Sequence, residues 1–323
     1  MNITLLTLNE IKQCINMKQA IDVMEIAFKQ LINKEVVLPL RTPVAVAKEG
    51  ALSLTMPGYL ERQEALGVKL VSIFPNNLHK AKPAINGAIV LLDAKSGETL
   101  AMMEAAYLTA LRTGAVSGLA SKYLAREDAE HLAIIGSGTQ ALTQLEAVRA
   151  VRDIKRVSVW SRNKENAQAF ARSLDSSLES KAYDDISDAV KEADIICTAT
   201  GSTQPLLYLK DLKPGVHINA IGSHSTEMCE LANDVMAHSI VVADQLEAVL
   251  AESGEIVSAI KNKMLEQSAI RELGEVILTA NEADKQEITV FKSVGLAIQD
   301  ISIAQVVYQN ALQKQLGVNF ALS

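Results

Sequence analysis

A chain of 323 residues exceeds the size at which one compact core usually suffices, and 49% hydrophobic with 21% charged residues is the composition of a globular protein rather than a disordered one. A net charge of −7 opposes association with a polyphosphate, and no Lys/Arg-rich run offsets it, so nucleic acid is not an expected partner. The opening MNITLLTLNEIKQ lacks a basic segment followed by an apolar one, and no apolar run is long enough to span a bilayer; the expectation is a cytoplasmic protein away from membranes.

In chain order, NMKQAIDVMEIAFKQLIN places Ile21, Met24, Ile26, Phe28 and Leu31 near helical spacing and predicts an amphipathic helix over residues 16–33. After Pro39 and Pro43 come the short strand-like runs ALSLTMP and GVKLVSIFP, then GAIVLLDAKSGETLAMMEA, which reads as a hairpin around a DAKSG turn. At His131 the pattern changes: HLAIIG, RVSVW, DIICTAT, GVHINAIG and SIVVAD alternate with helical segments, and ITVFKS is a sixth apolar strand. Such alternation implies a parallel, doubly wound sheet, and from Gly295 the run LAIQDISIAQVVYQNALQKQLG predicts a helix of about five turns.

The three cysteines, Cys14, Cys197 and Cys229, form neither a CxxC pair nor a zinc-like set with the histidines, which argues against a disulfide framework and a structural metal. Cys197 lies in the apolar run DIICTAT and reads as a small core residue. No repeat or low-complexity segment is present.

The sharpest motif is Gly136-Ser137-Gly138-Thr139-Gln140-Ala141, a GxGxxA turn between an apolar strand and a helix. In a dinucleotide site the first glycine permits the tight turn, and the second lets the backbone approach the pyrophosphate. The small sixth residue brings the helix close to the strand, and the helix N-terminus faces the phosphates. Alone the hexapeptide is weak, because glycine-rich turns are common; its strand and helix flanks, and a following strand RVSVW that ends where the adenosine ribose should lie, make it specific. The tip of that strand reads Trp160-Ser161-Arg162-Asn163, with no carboxylate for a ribose 2′-hydroxyl. A hydroxyl beside a guanidinium suits a 2′-phosphate, so NADP(H) is expected in preference to NAD(H), with Ser161 and Arg162 as its partners.

Lys69 sits between Val68 and Leu70 in a strand-like run, so its ammonium points opposite to both, either to solvent or into a pocket. The residues alone leave both readings open.

GVKLVSIFP around Lys69, LTALRTGAVSGLASKYL around Arg112, IIGSGTQA, TATGSTQP and FKSVGLAIQD together resemble the ornithine cyclodeaminase/μ-crystallin family over nearly the whole chain. The resemblance implies a Rossmann domain over residues 121–299 and an α+β substrate-binding and dimerisation domain from residues 1–120 and 300–323. It also implies a homodimer and hydride transfer between a nicotinamide and the carbon of a small amino or imino acid. It selects the pocket reading for Lys69, assigns carboxylate binding to Arg112, and makes Arg41 in PLRTP a second candidate. Thr198-Ala199-Thr200 and Ser293-Val294-Gly295 resemble the family's nicotinamide contacts, and Thr113 is a further candidate cofactor contact. A purely structural role, helix-to-sheet packing, is the alternative for these small residues.

Two positions depart from the cyclodeaminase pattern. His224, in Gly222-Ser223-His224-Ser225-Thr226, stands where an aspartate for the substrate's ammonium is expected, and Ala84 stands where a threonine would donate a hydrogen bond. Both changes favour reduction of a cyclic imine, Δ1-pyrroline-2-carboxylate or its piperideine analogue, with Lys69 or His224 as the proton source. Ornithine cyclodeaminase, alanine dehydrogenase and an NADPH-dependent ligand-binding protein of μ-crystallin type are the alternatives on the same scaffold.

Overall fold

The computed structural model describes residues 2–80 and 82–321; Met1, Ala81, Leu322 and Ser323 lie outside the described residues. The chain opens with β1 (Asn2–Leu6), α1 (Leu8–Cys14) and α2 (Met17–Ile32), followed by β2 (Val36–Val37), β3 (Thr42–Val46), β4 (Ala51–Leu60), β5 (Ala65–Ile73), β6 (Ile85–Asp93) and β7 (Thr99–Glu104). Helix α3 (Ala105–Leu124) leads into β8 (His131–Ile135), α4 (Thr139–Arg149), β9 (Arg156–Trp160), α5 (Lys164–Ser173), β10 (Glu179–Ala182), α6 (Ile186–Val190) and β11 (Ile195–Thr198). Then come β12 (His217–Ala220), α7 (Asn233–Ala237), β13 (Ile240–Ala243), α8 (Leu246–Glu252), α9 (Gly254–Lys261), β14 (Arg271–Glu272), α10 (Leu273–Thr279) and β15 (Thr289–Lys292). The last elements are α11 (Ala297–Lys314) and β16 (Val318–Ala321).

The chain separates into two units, Met1–Arg112 with Leu296–Ser323, and Thr113–Gly295. Both divisions fall earlier than the expected 120/121 and 299/300. The first lies inside α3, whose sequence carries no proline and continues as helix through Arg112 and Thr113, so no break in pattern marks it.

In the first unit the strands run in the order β16-β1-β7-β6-β5-β4-β2, with β3 also paired to β4. The β1–β7 pair is parallel and the other pairs are antiparallel. The expected hairpin is β6–β7, and its turn is held by Asp93, whose Oδ1 accepts the N–H groups of Lys95 and Ser96 at 2.8 Å. Helix α11 packs on β4, β5 and β6 and against α1 and α2. Its close approach depends on Gly58, where an added Cβ would lie 3.1 Å from the Ile301 side chain.

Helix α2 starts at Asn16, whose Oδ1 accepts the Gln19 N–H while Gln19 Oε1 accepts the Asn16 N–H, a reciprocal cap. Its buried face contains Ile21, Met24 and Phe28 as expected, but Ile26 is 49% exposed. Two residues beyond Met24 lies about 200° around the helix, on the opposite face. The C-terminal helix matches its expected length, and the strand β16 beyond it was not foreseen; that segment is short and exposed, and only its pairing with β1 makes it a strand.

In the second unit the strands run in the order β10-β9-β8-β11-β12-β15-β13-β14, and every pair is parallel. Counted from β8, the first five strands stand in the Rossmann order, with the reversal between β8 and β11. The six apolar runs of the sequence are β8, β9, β11, β12, β13 and β15. The sheet also has β10 and β14, a four-residue strand without apolar bulk and a two-residue strand, at its two edges.

Candidate active site

In the second unit the GxGxxA turn leaves β8 at its carboxyl end. Gly136 has φ 109°, and a Cβ there would sit 2.6 Å from the Ala199 carbonyl oxygen, so the turn can pass the end of β11 only with glycine. Gly138 caps α4 without a side chain, and an added Cβ would meet nothing within 4 Å. That side of the backbone is open, as the approach of a bulky anion requires. Ala141 is fully buried, and the first-turn N–H groups of the eleven-residue α4 lie at this opening.

The turn borders a groove of about 340 Å³, lined on one side by Gly136, Ser137 and Gly138 and on another by Trp160, Ser161 and Arg162. Ala199 and Thr200 complete its wall. Among the described lining residues none is Asp or Glu. Thr139 and Gln140 are the first residues of α4 and do not line the groove, and neither does Thr198.

The buried Thr198 hydroxyl is committed elsewhere: it donates to Glu230 Oε2 at 2.7 Å, and the Thr200 N–H and hydroxyl both donate to Glu230 Oε1 at 2.7 Å. The Gly222 N–H also reaches Glu230 Oε2 at 2.9 Å. One fully buried carboxylate thus ties the ends of β11 and β12 together, where a Cβ on Gly222 would collide with the Thr200 backbone at 2.4 Å. Burial raises the Glu230 pKa, and Lys292 and the threonine hydroxyls oppose that rise.

Ser293-Val294-Gly295 is built in the same way. Asp244 Oδ2 accepts the Ser293 hydroxyl at 2.7 Å and the Val294 and Gly295 N–H groups at 2.9 Å, shaping the turn in which Gly295 takes φ 85°. Lys292, fully buried, donates to the Ser223 carbonyl at 2.7 Å and pairs with Glu255 at 3.0 Å, fixing the residue before His224. His224 itself is exposed. Thr113 is buried in α3, and its carbonyl accepts the Ser117 hydroxyl at 3.2 Å and the Gln144 amide at 3.3 Å.

In the first unit, register decides the direction of Lys69. It pairs laterally with Met56 and Ile89, both buried, and shares the face of Gly67, whose missing Cβ would lie 3.6 Å from Ile301 of α11. Lys69 therefore points to the helix-covered face and is 1% exposed. Its Nζ lies 2.6 Å from Asp300 Oδ2, while Asp300 Oδ1 accepts from Arg112 Nε at 3.1 Å. Arg112 Nη1 donates to Gln299 Oε1 at 2.6 Å. Burial, aided by the charges of Arg112 and Arg41, lowers the Lys69 pKa to about 8 against the pull of Asp300. The structure thus brings the three expected cations into one electrostatic neighbourhood, with Arg41 half-buried at its edge.

Asp300, Gln299, Glu230 and Asp244 were not among the expected site residues. A signal existed for the first two: residues 297–304 are buried on every side of α11, and a Gln-Asp pair inside such a helix has no solvent to face. The Gln299 Nε2 is a buried donor that meets no acceptor among the described residues.

The family profile of ornithine cyclodeaminase/mu-crystallin matches residues 1–315. The chain belongs to this family. Among curated relatives, a Δ1-pyrroline-2-carboxylate reductase of Bacillus cereus is 42% identical over 315 residues, 96% of this chain and 97% of the relative. The fold superposes with a TM-score of 0.95 on the Thermococcus litoralis Δ1-pyrroline-2-carboxylate reductase, solved with NADH and L-proline, at 39% identity over 98% of this chain and 100% of that one. An archaeal alanine dehydrogenase dimer with bound NAD gives a TM-score of 0.92 at 32% identity, covering both chains fully. The family expectation drawn from the motifs is met.

In this family member Glu230→Gln tests the tie between β11 and β12. Either oxygen position already receives a backbone N–H, so whichever way the amide turns, its NH2 confronts a donor. The variant should lose roughly 1–3 kcal/mol in denaturant unfolding and bind reduced dinucleotide more weakly; unchanged stability and affinity would show the tie to be dispensable.

Proposed function

We propose that the protein is an NAD(P)H-dependent reductase of a cyclic ketimine, with Δ1-pyrroline-2-carboxylate as substrate and L-proline as product. The observation that carries this reading is the buried pair of cations, Lys69 and Arg112, around the single carboxylate of Asp300. Two buried positive charges facing one negative charge leave an excess that favours a small anion. Support comes also from the similarity to the two pyrroline-2-carboxylate reductases.

The residues of the second unit fit a dinucleotide. The open side of Gly138, the α4 N-terminus and the groove past Trp160 offer a path for a pyrophosphate and a ribose. Ser137 and Gly138 would hold the phosphates, and Ser161 and Arg162 the ribose end. When bound, the reduced nicotinamide supplies a hydride to the imine carbon.

Everything else falls to the chain's own groups. Asp300 and Gln299 take the Nε N–H and one Nη1 N–H of Arg112, so three N–H groups, two of them on Nη2, remain for the substrate carboxylate. Lys69 forms an ion pair with Asp300 at 2.6 Å, and its ammonium carries three N–H donors. With a pKa of about 8 it is an ammonium at neutral pH, able to bind the carboxylate and to hold a proton at the ring nitrogen. Arg41 adds positive charge at the rim. The exposed His224 is a second candidate proton source. Neither His224 nor Ala84 offers the carboxylate or hydroxyl that anchoring a second amine would need.

Two finer assignments complete the proposal. Arg162 at the groove, without a neighbouring lining carboxylate, favours NADP(H) over NAD(H). The homodimer would form on the first unit's helix-free sheet face, where register places Leu70, Met102, Val318 and Phe320 on one side, each more than 40% exposed. An apolar strip of this kind on a sheet marks a protein contact. The archaeal alanine dehydrogenase dimer is consistent with it.

The direct test is oxidation of NADPH and NADH with pyrroline-2-carboxylate, with pyruvate plus ammonia, and with no acceptor. Rapid turnover of the cyclic imine alone is expected, with its KM rising up to about tenfold per pH unit above pH 8 as Lys69 loses its proton. Turnover of pyruvate and ammonia instead would favour the alanine dehydrogenase reading. Arg162→Asp should shift preference toward NADH by roughly ten- to a hundredfold; equal use of NADPH would remove Arg162 from the ribose site. Leu70→Glu should yield a monomer by sedimentation, and an unchanged oligomer would place the contact elsewhere.

A further inference from the structure

We propose that Asp300 is a positioning residue for this reduction: its two oxygens hold Lys69 and Arg112 side by side, presetting the two cations for the carboxylate of the incoming imine. The inference rests on the imine-reductase reading of the same cluster and adds a residue that the motifs do not assign.

Asp300 is fully buried and lies in the first turn of α11, a favourable place for a carboxylate because the helix dipole is positive there. It takes no part in capping: α11 starts at Leu296 without a side-chain cap, and both Asp300 oxygens turn to cations on other elements. Oδ2 faces Lys69 of β5 at 2.6 Å and Oδ1 faces Arg112 of α3 at 3.1 Å. The neighbouring Gln299 takes Arg112 Nη1 at 2.6 Å, so the first turn of α11 fixes both rotation and tilt of the guanidinium. With the Nε N–H and one Nη1 N–H held, the guanidinium keeps three N–H groups for a ligand, two of them on Nη2, and Lys69 is pinned beside it by the same carboxylate.

The charged groups acting on Lys69 are Asp300 from α11, Arg112 from α3 and Arg41 from the segment before β3. Asp300 is the one anion in that set, and the other two oppose the ammonium. Asp300 therefore has a second effect besides spacing: it keeps Lys69 cationic at neutral pH despite complete burial.

The test is Asp300→Asn, which preserves shape and removes charge. With lysine isotopically labelled at Cε, the Lys69 resonance, assigned by its loss in Lys69→Met, should titrate near pH 8 in the wild type and at least about one unit lower in Asp300→Asn. The alkaline limb of kcat/KM should move the same way, and the KM for pyrroline-2-carboxylate should rise at least about tenfold while affinity for reduced dinucleotide stays constant. Asp300→Glu keeps the charge but lengthens the arm; it should restore the Lys69 midpoint and leave KM raised, which a merely structural role would not do. An unshifted Lys69 midpoint in a folded Asp300→Asn protein, or a normal KM in either variant, overturns the proposal. If the wild type fails to reduce the imine, the functional reading falls, while the Lys69 titration still decides whether Asp300 governs that charge.

Discussion

The first unit is organised around one buried carboxylate with a cation on each oxygen. Such a cluster is costly to build, since an ion leaving water loses several kcal/mol of solvation that contact with one partner only partly returns. A fold selected for stability alone would do as well with apolar residues there. The cluster makes sense if the buried excess of positive charge is met by a small anion. Removal of Asp300 would strand two cations, a loss on the order of 3–5 kcal/mol if both stayed charged; the accessible alternative is that Lys69 sheds its proton.

The second unit uses carboxylates in a related way, on neutral donors. Glu230 accepts the Thr198 and Thr200 hydroxyls and two backbone N–H groups, and Asp244 accepts a hydroxyl and two N–H groups from residues 293–295. Each satisfies the orphan donors of turns at the carboxyl ends of parallel strands, the edge where open α/β sheets bind ligands. The turns can then be rich in small residues and still hold one shape. The groove beside Gly136 has firm walls although few large side chains line it.

Much of this was legible in the sequence. The parallel strands were readable because burial on both faces makes them continuous apolar runs, and GSGTQA was readable because its small residues match the crowding at Gly136 and Ala141 and the open backbone at Gly138. Strands β10 and β14 were not, because edge strands need no apolar bulk, and β16 was not, because only pairing with β1 makes so short and exposed a segment a strand. Lys69 illustrates the limit of local reading: periodicity placed it opposite Val68 and Leu70 but could not say which face carries α11. The polar pair inside α11 hinted at Asp300, but its partners were hidden for a different reason, since they lie on β5 and α3 and no spacing rule links three such distant segments. Thr198 shows the converse, a residue matched by motif whose hydroxyl serves Glu230.

The central claim is that Lys69 and Arg112, set by Asp300, grip the carboxylate of a cyclic imino acid. A crystal structure of the protein with L-proline and oxidised dinucleotide tests it most directly. The proline carboxylate should lie within hydrogen-bond distance of Lys69 Nζ and Arg112 Nη2. Proline bound elsewhere, with the Lys69–Asp300–Arg112 cluster closed on itself, would contradict it.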